Sequence, residues 1–105
     1  METPHVDDAF RALSNPFRRR LLLALLDQKP HDKIIVPGEI DLSETDPHRL
    51  ETALFHNHLP MLADLGVIEW EQDSHMVSKG SNFEAIQPLL ELIDNHRDEL
   101  PDGWI

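Results

Sequence analysis

Leu21-Leu22-Leu23-Ala24-Leu25-Leu26 is the longest apolar run in the chain, and it constrains the fold more than any other feature. It falls far short of the ~20 apolar residues that a membrane-crossing helix needs. It is apolar on nearly every face, as a helix at the centre of a core must be. The residues before it spell a helix start. Asn15 suits the cap position, and Pro16 suits the first helical position, where a missing N–H is no loss. The helix is expected over 16–28. Phe17, Leu21 and Leu25 stack on one face, Leu22 and Leu26 widen the stripe, and Lys29-Pro30-His31-Asp32 ends it.

The rest of the chain reads as elements arranged around this helix. A short helix is expected over 6–13, broken by Ser14-Asn15-Pro16. Ile34-Ile35-Val36 is β-branched and reads as a short strand, limited by Pro37-Gly38. Residues 38–42 have the length of one helical turn, and 43–46 form a polar loop. Asp46-Pro47 repeats the cap-and-proline signal and opens a helix to about Leu65, which Gly66 stops from the C′ position. A β-hairpin follows, with strands over 67–71 and 75–78 around Gln72-Asp73-Ser74. Ser81 and Glu84 have the spacing of a capping box for a last helix over 81–99. No repeat or long linker divides the chain. The expected fold is mainly α with a small β-hairpin: a single winged helix-turn-helix domain over 1–105, with its core in 6–80 and an added C-terminal dimerisation helix over 81–99.

Charge bears on what such a domain can bind. Asp plus Glu total 20 against 9 Lys plus Arg, a net of -11 on 105 residues. One reading is an acidic protein for cationic partners. The other is adaptation to molar salt, where repulsion is screened within a few Å. The acids are spread along the chain rather than gathered in a tail, which favours the salt reading. The absence of cysteine excludes disulfides, thiolate metal sites and thiol nucleophiles. With a polar, acidic start unlike a signal peptide, the expected location is cytoplasmic. No phosphate loop, nucleophile–base pair or metal-ligand set stands out, so neither an enzyme nor a cofactor or metal is expected.

The helix expected from Pro47 carries the candidate site. On a helical wheel, Leu50, Leu54, Met61 and Leu65 with Phe55, Leu59 and Leu62 form the inward arc. Arg49, Thr52, Ala53, His56 and Asn57 lie on the opposite side. Arg and Asn can pair bidentately with guanine and adenine edges, and Thr and Ala can touch a thymine methyl. The same pattern also fits an ordinary solvated face. His58 falls inside the apolar arc and reads as a hydrogen-bonded core histidine. His56 points away from it, so the two cannot share one metal. Pro60 breaks a local rule, because it deletes a helix hydrogen bond to the His56 carbonyl and should kink the helix.

Arg18, Arg19 and Arg20 lie in the first turn of the core helix, where positive charge opposes the helix dipole. Residues 10–29 hold five basic residues and one acid, the chain's basic island. Arg18 and Arg19 read as phosphate contacts, or else as partners for acids on the last helix or stems covering the core. Against DNA stands the hairpin, with Glu69, Glu71 and Asp73 against Lys79. On the last helix, Phe83, Ile86, Leu90 and Ile93 repeat at spacings of three and four, a seam for homodimerisation or for the domain's own core.

Two stretches together carry a family resemblance. Phe10-Arg11-Ala12-Leu13-Ser14-Asn15-Pro16-Phe17-Arg18-Arg19-Arg20-Leu21-Leu22 resembles the opening of ArsR-like winged-helix regulators. Leu54-Phe55-His56-Asn57-His58-Leu59-Pro60-Met61-Leu62-Ala63-Asp64-Leu65-Gly66-Val67-Ile68-Glu69 resembles their recognition helix running into the first wing strand. The His-x-His-Leu-Pro string resembles a short haloarchaeal form. The resemblance covers about residues 6–77. It implies a dimeric, cytoplasmic transcriptional regulator that binds double-stranded DNA with the helix from Pro47 in the major groove. The thiolates of the family's metal sensors are missing, so metal sensing does not carry over. The helix before the recognition helix is compressed into 38–42. Domains of this shape also serve as protein–protein interaction adaptors, the rival expectation here.

Overall fold

The apolar run forms the helix its flanks announce. Helix α2 (Pro16–Leu26) begins with the Asn15 side chain accepting hydrogen bonds from the backbone N–H groups of Phe17 (2.8 Å) and Arg18 (3.4 Å). It ends two residues short of the expected limit, where the Asp27 N–H turns back to the Leu25 carbonyl. The computed structural model describes residues 6–29, 31–36 and 52–102. The turn expected at 38–42, the loop at 43–46, the Asp46-Pro47 cap and Arg49 lie outside the described residues.

Helix α1 (Val6–Leu13) precedes α2 and packs Ala12 and Leu13 into the core. Strand β1 (Ile34–Ile35) is followed by a helical run over 52–64, then β2 (Ile68–Glu71), β3 (Met76–Lys79) and α4 (Phe83–Asn95). Within the run, residues 54–58 form a π segment and Leu59–Asp64 form the α-helical part, α3. The described residues are mainly helical with a small antiparallel sheet, in keeping with the expected mainly-α chain with a hairpin. The sheet has three strands in the order β1-β3-β2. Ile34 sits opposite Val77 and Ile35 opposite Met76, and the Val36 N–H continues the ladder to the His75 carbonyl at 3.0 Å. The isolated β-branched triplet is therefore the third strand, laid along the returning arm of the hairpin.

The core lies between α2, the sheet and α4. Leu21, Leu22 and Leu25 meet Leu59, Leu62, Val67 and Val77, with Phe83, Ile86 and Leu90 from α4 closing the far side. Three expectations need correction. Phe83, Ile86 and Leu90 are at most 2% exposed, so they are not a seam for a second copy: α4 spends that stripe on α2. Ile93 is half-buried against the same core. The helix start is also shifted by one residue from the cap expected at Ser81. Helix α4 starts at Phe83 with Asn82 in the cap position and no side-chain cap bond, because the Asn82 amide instead donates to the Leu65 carbonyl at 3.0 Å. Helix α4 closes at Asn95 rather than continuing to 99. The His96 N–H bonds the Ile93 carbonyl, and a tight turn over Arg97–Glu99 follows.

Gly66 and Gly80 join α3, the hairpin and α4. Gly66 takes φ +78°, the left-handed C′ position expected for it. The Gly66 N–H reaches the Ala63 carbonyl (2.9 Å) and the Val67 N–H reaches Leu62 (3.2 Å), satisfying two terminal carbonyls of α3. Gly80 donates to Val67 (3.0 Å), and the Asn82 N–H returns to the Gly66 carbonyl (2.8 Å). The hairpin is thereby fixed to the end of α3.

Candidate nucleic-acid interface

The disruption expected at Pro60 takes a defined form. Immediately upstream, the helix widens into the π segment Leu54–His58, and Pro60 falls in the first turn of α3. The first turn is the part of a helix whose N–H groups need no helical partner, so proline is tolerated there. Such a bulge changes the register between the two halves of a helix, and π-bulges recur at functional sites.

The helical run still separates an inner face from an outer one. Leu59 and Leu62 are fully buried, and Phe55, Met61 and Leu65 pack against the core. Thr52, His56 and Asn57 are exposed and Ala53 is half-buried, so four of the residues expected on the outer face are found together on one described stretch. Arg49 cannot be placed with them, since it lies outside the described residues.

His58 is buried, as expected of a core histidine, and its partner is Arg18, forty residues earlier. The Arg18 Nη1 lies 2.9 Å from His58 Nδ1. A guanidinium carries only donors, so Nδ1 accepts and the imidazole is neutral with its proton on Nε2. Burial, and then the Arg18 charge, hold the His58 pKa below its ordinary value. The Phe17 ring packs edge-on to the imidazole at 5.9 Å. Arg18 does more than hold His58. Its Nε donates to the Ala12 carbonyl (3.2 Å), and its Nη2 to the Arg11 carbonyl (2.8 Å) and Ser14 Oγ (2.9 Å). Four of the five guanidinium donors are thus engaged inside the fold. Arg19 donates to the Leu13 carbonyl at 2.6 Å. These two arginines close the α1–α2 corner, a use that neither the phosphate reading nor the acid-pairing reading anticipated.

The hairpin is held against the outer helix by an aromatic stack. Phe55 lies between Trp70 of β2, with ring centroids 6.1 Å apart at 16°, and His75, at 4.4 Å. His75 adopts φ 57°, a left-handed conformation uncommon for a residue with a side chain. No sequence pattern announces this contact. The hairpin's acidity is partly neutralised: Glu71 is paired with Lys33 and accepts from Ser74 Oγ at 3.0 Å, and both bonds lower its pKa. Glu69 and Asp73 are exposed.

Asp94 and His96 are occupied locally, by Arg97 at 2.8 Å and by the Leu92 carbonyl at 2.7 Å. Among the described residues no helix is long and apolar enough to cross a membrane. A family described as a domain of unknown function (DUF7344) matches residues 35–78, the stretch from β1 into β3. No curated protein and no solved structure matches the chain.

Proposed function

We propose that the chain is a DNA-binding transcriptional regulator of the winged helix-turn-helix type, with the helical run containing Thr52, Ala53, His56 and Asn57 entering the major groove. One observation carries the reading. A helix buried on its inner side presents a small polar face and runs through a glycine turn into a hairpin that packs back on the same helix. The β1-β3-β2 order supports it, because β1 backs the hairpin as a winged helix requires. So does the resemblance of the two stretches to ArsR-like regulators. Asn57 and His56 read base edges, and Arg49 belongs to the same face by its position in the sequence. Arg19 contacts phosphate, while Arg18 acts from inside by holding His58. The reading includes no catalytic role and no cofactor, and places the protein in the cytoplasm. A homodimer uses apolar side chains that the fold leaves exposed, among them Val6 and Phe10 on α1 and Leu92 on α4, in place of the buried stripe of α4.

Selection from a random duplex pool, at about 0.1 M and again at molar salt, tests the reading, since phosphate-driven affinity falls steeply with salt. The wild-type chain enriches a common half-site. Asn57→Ala lowers affinity for that site by roughly tenfold and lowers binding to unrelated duplexes far less, as expected of a base contact worth ~1–3 kcal/mol. Equal losses on every duplex would remove Asn57 from base readout. The adaptor reading rests on exposed Glu69 and Asp73, which repel phosphate and suit a basic protein partner. No enrichment at either salt concentration would favour it.

A further inference from the structure

The contact between Arg18 and His58 ties together three segments that share no sequence neighbourhood: the last turn of α1, the first turn of α2 and the π segment of the candidate recognition helix. We propose that this contact is a proton-released clasp, in which protonation of His58 frees Arg18 and uncouples α1 from that helix. The functional consequence rests on the DNA-binding reading; the clasp itself does not.

The chemistry follows from the donor count. Neutral His58 accepts at Nδ1 from Arg18. Imidazolium has a donor on both ring nitrogens, so it cannot accept, and two cations then face each other, one of them on a buried ring. Among the described residues, no carboxylate acts on the pair. From α2 come Arg18 and the Phe17 ring, with Arg19 adding positive charge around Arg18. From α1 comes Arg11, whose side chain faces Asp8 at 3.8 Å. On the helical run itself His56 and Asp64 are exposed. From β2, which packs on α3, Glu69 and Glu71 are exposed, and Glu71 is paired with Lys33.

The direction with pH is fixed by the same facts. The folded-state pKa of His58 lies below the ordinary 6.5, so the clasp is intact above about pH 6.5 and is lost as pH falls through the lowered value. Once Arg18 lets go, the Ala12 carbonyl loses its side-chain donor and the Arg11 carbonyl keeps only the Ser14 hydroxyl as a side-chain donor, so α1 is held less firmly, with Ala12 and Leu13 burial and Arg19 among the contacts that stay. Helix α1 also carries exposed Val6 and Phe10, so release moves an apolar face as well as a helix.

Amide hydrogen exchange across α1, corrected for intrinsic pH dependence and referenced to α4, tests this from about pH 7.5 down to a pH at which ring NMR shows His58 protonated and the chain still folded. The expected result is at least roughly fivefold more opening of α1 at the acid end, with α4 unchanged. In His58→Asn the amide oxygen accepts from Arg18 at every pH, and the α1 response should be flat. Ring ¹⁵N shifts of wild-type His58 give a second readout that needs no variant: Nδ1 bare at neutral pH and titrating below 6.5. Protection of α1 that tracks α4 throughout, an undiminished acid response in His58→Asn, or a protonated Nδ1 at neutral pH would each overturn the clasp. A clasp that responds as described in a chain that binds no DNA would count against the proposed function alone.

Discussion

Gly80→Ala lowers stability by about 3 kcal/mol or more, and the melting temperature by roughly 15 °C for a domain of this size. A Cβ on Gly80 would fall on the Gly66 carbonyl, 2.9 Å from the Gly66 carbonyl carbon and 2.7 Å from the Ile68 nitrogen. All of these are backbone atoms held in the bonds that close the junction of α3, the hairpin and α4, so no side chain can swing aside to make room. The strain reaches the candidate recognition helix directly, because the Gly66 carbonyl that would have to move also receives the Asn82 N–H. Gly66→Ala is the informative comparison. There the new Cβ meets the Asn82 amide nitrogen at 2.7 Å; that side chain can swing aside at the loss of its bond to the Leu65 carbonyl, and this adds to the cost of φ +78° for about 2 kcal/mol in all. Thermal melts of the two variants check the order: Gly80→Ala well below Gly66→Ala, with wild type above both. Equal melting temperatures would mean that the two backbones are not in contact.

Leu90→Ala is the second large effect, at about 3 kcal/mol, within the usual range for a buried leucine truncated to alanine. Leu90 is fully buried between α4 and the rest of the core. Its loss leaves a cavity, and the molecular mass in solution stays as it was. Leu92, 57% exposed two residues further on, should behave in the opposite way. Leu92→Asp leaves the denaturation midpoint nearly unchanged, and if the homodimer uses that face it halves the mass measured by light scattering. A drop in mass for Leu90→Ala under folding conditions would return the buried stripe to the interface and contradict the packing described above.

The parts of this fold legible in the sequence are those governed by neighbours in the chain. Asn15-Pro16 announces α2, and Gly66 announces the end of α3, because capping and left-handed backbone depend on one or two residues. Pro60 signals a defect in the helical ladder, though not that a π segment would absorb it. What escapes is set by contacts distant in sequence. Nothing near Arg18 points to His58, so a guanidinium that closes the α1–α2 corner passes for a phosphate contact. Ile34-Ile35 is recognisable as a strand, but its pairing with β3 depends on the chain returning forty residues later. The stripe from Phe83 to Leu90 has the same spacing whether it meets α2 or another copy, and periodicity cannot choose between them. Ser81 misses the cap by one position because Asn82 is anchored to Leu65. On the outer face, side-chain placement agrees with the helical wheel at Thr52, His56 and Asn57, where the inward hydrophobic arc leaves few alternatives.

The central claim is that this chain regulates transcription through DNA, and genome-wide occupancy of the tagged protein in its native host tests it most directly. The account predicts sharp peaks at promoters that share a common palindrome, with the peaks lost in a His56→Ala, Asn57→Ala double variant that is expressed and folded. A flat profile from a well-expressed wild-type chain would contradict it.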